Sequence, residues 1–204
     1  MKLKEGNFAT TLEFSRDGSS LILGTNSGTI LTITSTQWDI FSSLHYQELI
    51  DLGKEIQSLQ FSPLELTSKF ILSTNDGIVW IISRPDPNHL ESVDVFNMFR
   101  DPHGLNDEES DISPSPYSNM AHKTCAKFST WDKDVYLCIA DSLQYVYVCN
   151  SAEKQLAKRI CLTLFPTALE MNYGSQGLWA VGTKLGTVVF KHLEDETPQR
   201  YNGS

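Results

Sequence analysis

The feature that most constrains this 204-residue chain is a unit that recurs four times along it. Each unit has a short β-type run, a turn, a hydrophobic run, a second polar or Gly-containing turn and another hydrophobic run. In the first, Ala9–Phe14 leads through Ser15-Arg16-Asp17-Gly18 to Ser20–Gly24, and Thr25-Asn26-Ser27-Gly28 leads to Thr29–Thr34. The second runs Ile56–Phe61, Ser62-Pro63, Lys69–Ser73, then Thr74-Asn75-Asp76-Gly77 and Ile78–Ile82. The third runs Thr124–Phe128, Ser129–Asp132, Val135–Ile139, then a turn around Asp141-Ser142 and Tyr145–Cys149. The fourth runs Thr167–Met171, Asn172-Tyr173-Gly174, Gly177–Val181, then Thr183-Lys184-Leu185-Gly186 and Thr187–Phe190.

Five or six β-branched and aromatic residues in a row predict a strand. Gly28, Gly77 and Gly186 supply the positive φ of a tight hairpin, and Asn26 and Asn75 tolerate the same turn. Each unit therefore predicts three antiparallel strands. A more polar fourth strand is expected near Leu44–Leu49, His89–Val95 and Leu156–Leu162, where half exposure suits an outer position. The short polar stretch after Lys191 makes a fourth strand in the last unit doubtful. Phe14, Phe61, Phe128 and Asn172 mark equivalent turns. The first and last intervals are near the ~40–45 residues of a four-stranded repeat, and the middle one is about twenty residues too long. The excess, residues 99–119, carries Asp107-Glu108-Glu109 and Ser113-Pro114-Ser115-Pro116 and reads as a flexible acidic loop.

On these residues the chain resembles the WD-repeat β-propellers. Phe14-Ser-Arg-Asp-Gly18 and Phe61-Ser-Pro63 are similar to that family's F-S-P-D-G turn. Gly24-Thr-Asn-Ser-Gly-Thr-Ile30, Ser73-Thr-Asn-Asp-Gly-Ile-Val79 and Gly182-Thr-Lys-Leu-Gly-Thr-Val188 are similar to its G-S-x-D-G-T-I hairpin. The Gly-His pair and the Trp-Asp that close a standard repeat are missing; only Asp76 matches the hairpin aspartate. The resemblance implies an all-β, degenerate WD-repeat-like propeller of four antiparallel blades. The expected organisation is one domain over 1–204, with units near 7–49, 54–98, 120–162 and 165–193, the acidic insertion 99–119 and a polar tail 194–204. Four blades are too few for the family's usual ring. A longer chain, a partner or a compact four-bladed form would resolve that, and an open half-ring would expose strand edges and an apolar blade face.

The function expected from the resemblance is a non-catalytic protein-interaction scaffold, a subunit of a multiprotein complex. Its partners would be other proteins, among them a second propeller or the chain itself to complete a ring. The alternatives are a reader of a basic peptide such as a histone tail, and an enzyme with an unrecognised site. With 16 Lys and Arg against 25 acids the chain has a net charge of −9 and no basic cluster, which disfavours nucleic acid. No run approaches the ~20 apolar residues of a membrane span, and Met1–Gly6 has no apolar signal region. The cytosol or the nucleus is the expected compartment.

No catalytic residue, cofactor site or metal site is expected. The chain has no nucleophile elbow, no phosphate-binding glycine loop and no H-E-x-x-H. The histidines are scattered, and no C-x-x-C pair exists. Cys125, Cys138, Cys149 and Cys161 read as small buried thiols on successive strands. Trp131, with Asp132, is the candidate interface aromatic, because it falls in a turn rather than in a hydrophobic strand as Trp80 and Trp179 do. Ser113 and Ser115, each before proline, are candidate phosphorylation sites.

Overall fold

The computed structural model describes residues 5–34, 45–63, 69–83, 92–98, 123–129, 134–153, 155–172 and 177–193. These residues form fifteen strands in four separate antiparallel sheets, each built from consecutive strands, and no helix is found among them. The first sheet holds β1 (Ala9–Phe14), β2 (Ser20–Thr25), β3 (Thr29–Thr34) and β4 (His45–Asp51). The second holds β5 (Ile56–Phe61), β6 (Lys69–Thr74), β7 (Ile78–Ser83) and β8 (Ser92–Asn97). The third holds β9 (Thr124–Phe128), β10 (Val135–Ala140), β11 (Tyr145–Asn150) and β12 (Gln155–Cys161). The fourth has three strands, β13 (Pro166–Met171), β14 (Leu178–Thr183) and β15 (Val188–His192).

The first strand of each sheet packs on the sheet before it: β5 on β1 and β2, β9 on β5 and β6, β13 on β9 and β10. The sheets are thus blades stacked in chain order, with β1, β5, β9 and β13 as the inner strands. This is a β-propeller arc of four antiparallel blades.

Local chemistry explains why the units repeat so closely. After each inner strand the next residue, Ser15, Ser62, Ser129 or Asn172, donates its N–H to the carbonyl opening the following strand, at 2.8–3.0 Å. In three blades the second hairpin is Thr-x-x-Gly. Thr25, Thr74 and Thr183 each accept the N–H of Gly28, Gly77 and Gly186 at their carbonyls. The hydroxyls of Thr25 and Thr74 also donate across the turn, to the carbonyls of Thr29 at 3.2 Å and Ile78 at 3.1 Å. The threonine hydroxyl fixes the turn and the glycine supplies its left-handed φ. Asp76, the residue expected to match the family's hairpin aspartate, accepts from Thr74 Oγ1 at 2.7 Å.

Two outer strands run slightly past their expected ends: β8 extends to Asn97 and β4 to Asp51, while His89–Glu91 lie outside the described residues. Register breaks between Ile30 and Leu31 in β3 and between Val148 and Cys149 in β11 shift the pairing of their outer neighbours.

Candidate interaction faces

The register assigns the same four positions to the preceding face of every blade. They are Leu12, Phe14, Leu21 and Leu23 in blade one, and Leu59, Phe61, Phe70 and Leu72 in blade two. Ala126, Phe128, Tyr136 and Cys138 follow in blade three, and Leu169, Met171, Trp179 and Val181 in blade four. Those of blades two, three and four are all buried, each against the blade before. Blade one has no blade before it among the described residues, and there Leu12 is 56% and Phe14 51% exposed.

The opposite, following face has its own four positions. In blade three these are Leu137, Ile139, Val146 and Val148, all buried against blade four. In blade four they are Ala180, Gly182, Val188 and Phe190, and here Val188 is 57% and Phe190 68% exposed. Large apolar residues more than half exposed on the outward blade faces at both ends of the arc are patches of the kind that mark interaction sites. Burying one such side chain fully stabilises an assembly by roughly 1.5–3 kcal/mol.

Blade one also shows how a following face receives its neighbour. Gly24 and Gly28 lie where blade two comes closest. A Cβ on Gly24 would sit 2.7 Å from Ile56 Cγ2, and one on Gly28 would sit 2.5 Å from the Lys54 backbone nitrogen. Blade four repeats both glycines, Gly182 and Gly186, at the same register. Among the described residues the nearest atoms over Gly182 are its own blade's Ala168 and Thr167, at 3.5 and 3.9 Å, and nothing lies within 4 Å of Gly186.

The joints are also hydrogen-bonded. Gln57, Ser58 and Gln60 of β5 accept the backbone N–H groups of Thr124, Ala126 and Phe128 at 2.6, 2.8 and 2.8 Å. The edge of β9 is thereby satisfied by side chains of the blade before it. Thr10 Oγ1 donates to the Ile56 carbonyl at 2.5 Å, and Cys125 Sγ to the Leu169 carbonyl at 3.7 Å.

One layer of the inner strands is polar: Glu13, Gln60, Lys127 and Glu170 occupy equivalent positions. Lys127 Nζ and Glu170 Oε2 are 3.2 Å apart. Burial pushes the Glu13 carboxyl above its ordinary value of 4.5, with Lys127 opposing and Glu170 adding to the shift. A carboxyl with a raised pKa costs stability once ionised. That cost is absent below the ordinary value and grows as pH rises through the raised one. Glu13→Gln is therefore expected to raise the melting temperature at neutral pH. The gain should fade as pH is lowered towards 4.5, and thermal melts across that range check it.

All four cysteines lie in blade three, one on each strand, and all are free thiols. Burial pushes the thiols of Cys125 and Cys138 upward, which keeps them protonated and poor nucleophiles. Tyr147, buried in the same blade, is pushed up to about 12, chiefly by burial. Among the described residues, no group of three His, Cys, Asp or Glu is placed to hold a metal ion. The candidate interface residues Trp131 and Asp132 and the candidate phosphorylation sites Ser113 and Ser115 lie outside the described residues. Trp179 is fully buried and Trp80 half-buried, in agreement with core packing. The exposed positions Leu12, Phe14, Val188 and Phe190 were not singled out by the sequence pattern. Their residue types match those of the buried joints, and only the order of the blades distinguishes them.

No family model matches the chain. No curated protein matches it either. Among solved structures it is similar to the β-propeller domain of Cps50 (Swd1) from Myceliophteria thermophila, at 14% identity and a TM-score of 0.63. The likeness covers 90% of this chain and 53% of that one. The chain therefore spans about half the length of the propeller it matches, and shares its fold.

Proposed function

We propose that this chain is a degenerate WD-repeat propeller acting as a non-catalytic interaction scaffold, a subunit of a multiprotein complex in the cytosol or nucleus. The observation that carries the reading is that large apolar residues on the outward blade faces at the two ends of the arc, Leu12 and Phe14 at one and Val188 and Phe190 at the other, are more than half exposed. The same positions are buried at every joint within the arc. A scaffold uses such faces to hold partners rigidly, and the stacked, hydrogen-bonded blades supply that rigidity. The basic-peptide alternative calls for an acidic surface. The polar layer of the inner strands is instead mixed, with Lys127 paired to Glu170.

A benzophenone amino acid placed at Phe14 or Phe190 of the full chain in its native cell tests the reading. Photolysis is expected to capture protein at both positions far more efficiently than at Val95, which is 55% exposed on an outer strand away from the joints. Equal capture at all three positions, or none at Phe14 and Phe190, overturns it.

A further inference from the structure

We propose that the occupant of both exposed faces is a second copy of this chain. Blade four of each copy would pack on blade one of the other, closing a ring of eight blades with two identical joints. The inference rests on the scaffold reading and adds the identity of the partner.

Three observations point to a second copy. First, the exposed faces are of opposite kinds. Blade one presents a preceding face, Leu12 and Phe14, and blade four a following face, Val188 and Phe190. At every joint within the arc, one face of each kind meets the other. A second copy covers both at once, in a head-to-tail arrangement that closes under two-fold symmetry.

Second, blade four carries the receiving geometry and blade one the inserting element. Gly28 of blade one lies against the backbone of Gly53 and Lys54, which lead into β5. The equivalent lead-in to β1 is Gly6-Asn7. The equivalence is fixed by the backbone: Asn75 N donates to the Glu55 carbonyl as Asn26 N donates to that of Phe8, and Gly53 and Gly6 both have positive φ, +63° and +83°. The open space over Gly186 and Gly182 is thus the counterpart of the space that blade two fills over Gly28 and Gly24. Gly6-Asn7 and Ala9 of the second copy would fill it.

Third, the arc corresponds to 53% of the length of the propeller it matches, so two copies supply about one ring.

The test is light scattering coupled to size-exclusion chromatography on the purified full chain at micromolar concentration. The expected mass is that of a dimer. The double variants L12D/F14D and V188D/F190D, altered where side chains are more than half exposed, are each expected to elute as monomers with unchanged β-sheet circular dichroism. Their equimolar mixture should recover the dimer mass, because one joint then has both faces intact. Should a double variant lose its fold, Gly182→Val carries the same expectation, since its Cβ meets only ordinary contact within a lone copy.

A monomeric wild type, double variants that stay dimeric, or a mixture that stays monomeric overturns the proposal. If the wild type is monomeric while Phe14 and Phe190 photocapture a different protein, the second copy is wrong and the scaffold reading stands. If neither association is seen, both fail.

Discussion

Alanine in place of Gly28 is expected to cost about 2–5 kcal/mol. Two terms add. At φ +94° a Cβ is strained, by roughly 1–2 kcal/mol for an L-residue in the left-handed region. The methyl would also lie 2.5–2.7 Å from the backbone atoms of Gly53 and Lys54, and forcing a packed joint open costs roughly 1–3 kcal/mol. Backbone atoms cannot rotate aside as a side-chain tip does, so blade two must shift as a body. Gly186→Ala is the internal control. In a lone copy it has the same strain at φ +76° with nothing within 4 Å among the described residues, so when both glycine variants are compared in the monomeric L12D/F14D background only the first term, about 1–2 kcal/mol, is expected. Urea unfolding followed by circular dichroism measures both. Equal losses at the two positions would mean that blade two does not press on Gly28.

Trp179→Ala should cost about 3–5 kcal/mol, the range for deleting a fully buried aromatic. Trp179 packs with Leu137, Ile139, Met171 and Val181 at the joint of blades three and four, so the cavity opens between blades. Its indole Nε1 is buried without a hydrogen-bond partner among the described residues, and such a donor carries a penalty of about 1–3 kcal/mol. Trp179→Phe removes that donor while keeping most of the ring. Its loss is expected to be well under half that of the alanine variant. If phenylalanine proves as damaging as alanine, the indole N–H has a partner and the joint is arranged differently.

Much of the blade architecture was legible from the chain alone because each strand is specified locally. Alternating β-branched residues, Thr-x-x-Gly turns and the Phe-Ser pairs need only their own neighbours. The last blade has three strands among the described residues, and the polar stretch 194–204 lies outside them. Bounds of the outer strands were blurred, since half-exposed strands dilute the period-two signal and register breaks in β3 and β11 shift their pairing.

The joints were not legible. Both faces of a propeller blade are apolar, so Leu12 and Leu169 look alike in sequence, yet one is in water and the other in the core. Only the stacking order separates them. Gly24 read as part of a hairpin motif, whereas its structural role is to admit Ile56 of the next blade. Gln60 did carry a signal. A glutamine between Leu59 and Phe61 in a buried strand needs a partner, and the partner is the Phe128 N–H of the next blade.

Association at the end faces of the arc leaves a direct mark on solvent access. Hydroxyl-radical footprinting of the full chain in its associated state, against the L12D/F14D variant, tests it most directly. Val188 and Phe190 are expected to be oxidised several-fold more slowly in the associated wild type than in the variant, while Val95 labels equally in both. Labelling of Val188 and Phe190 that is equally fast in the two states, with no protection in either, would mean that the blade faces stay in water and that the protein meets its partners elsewhere.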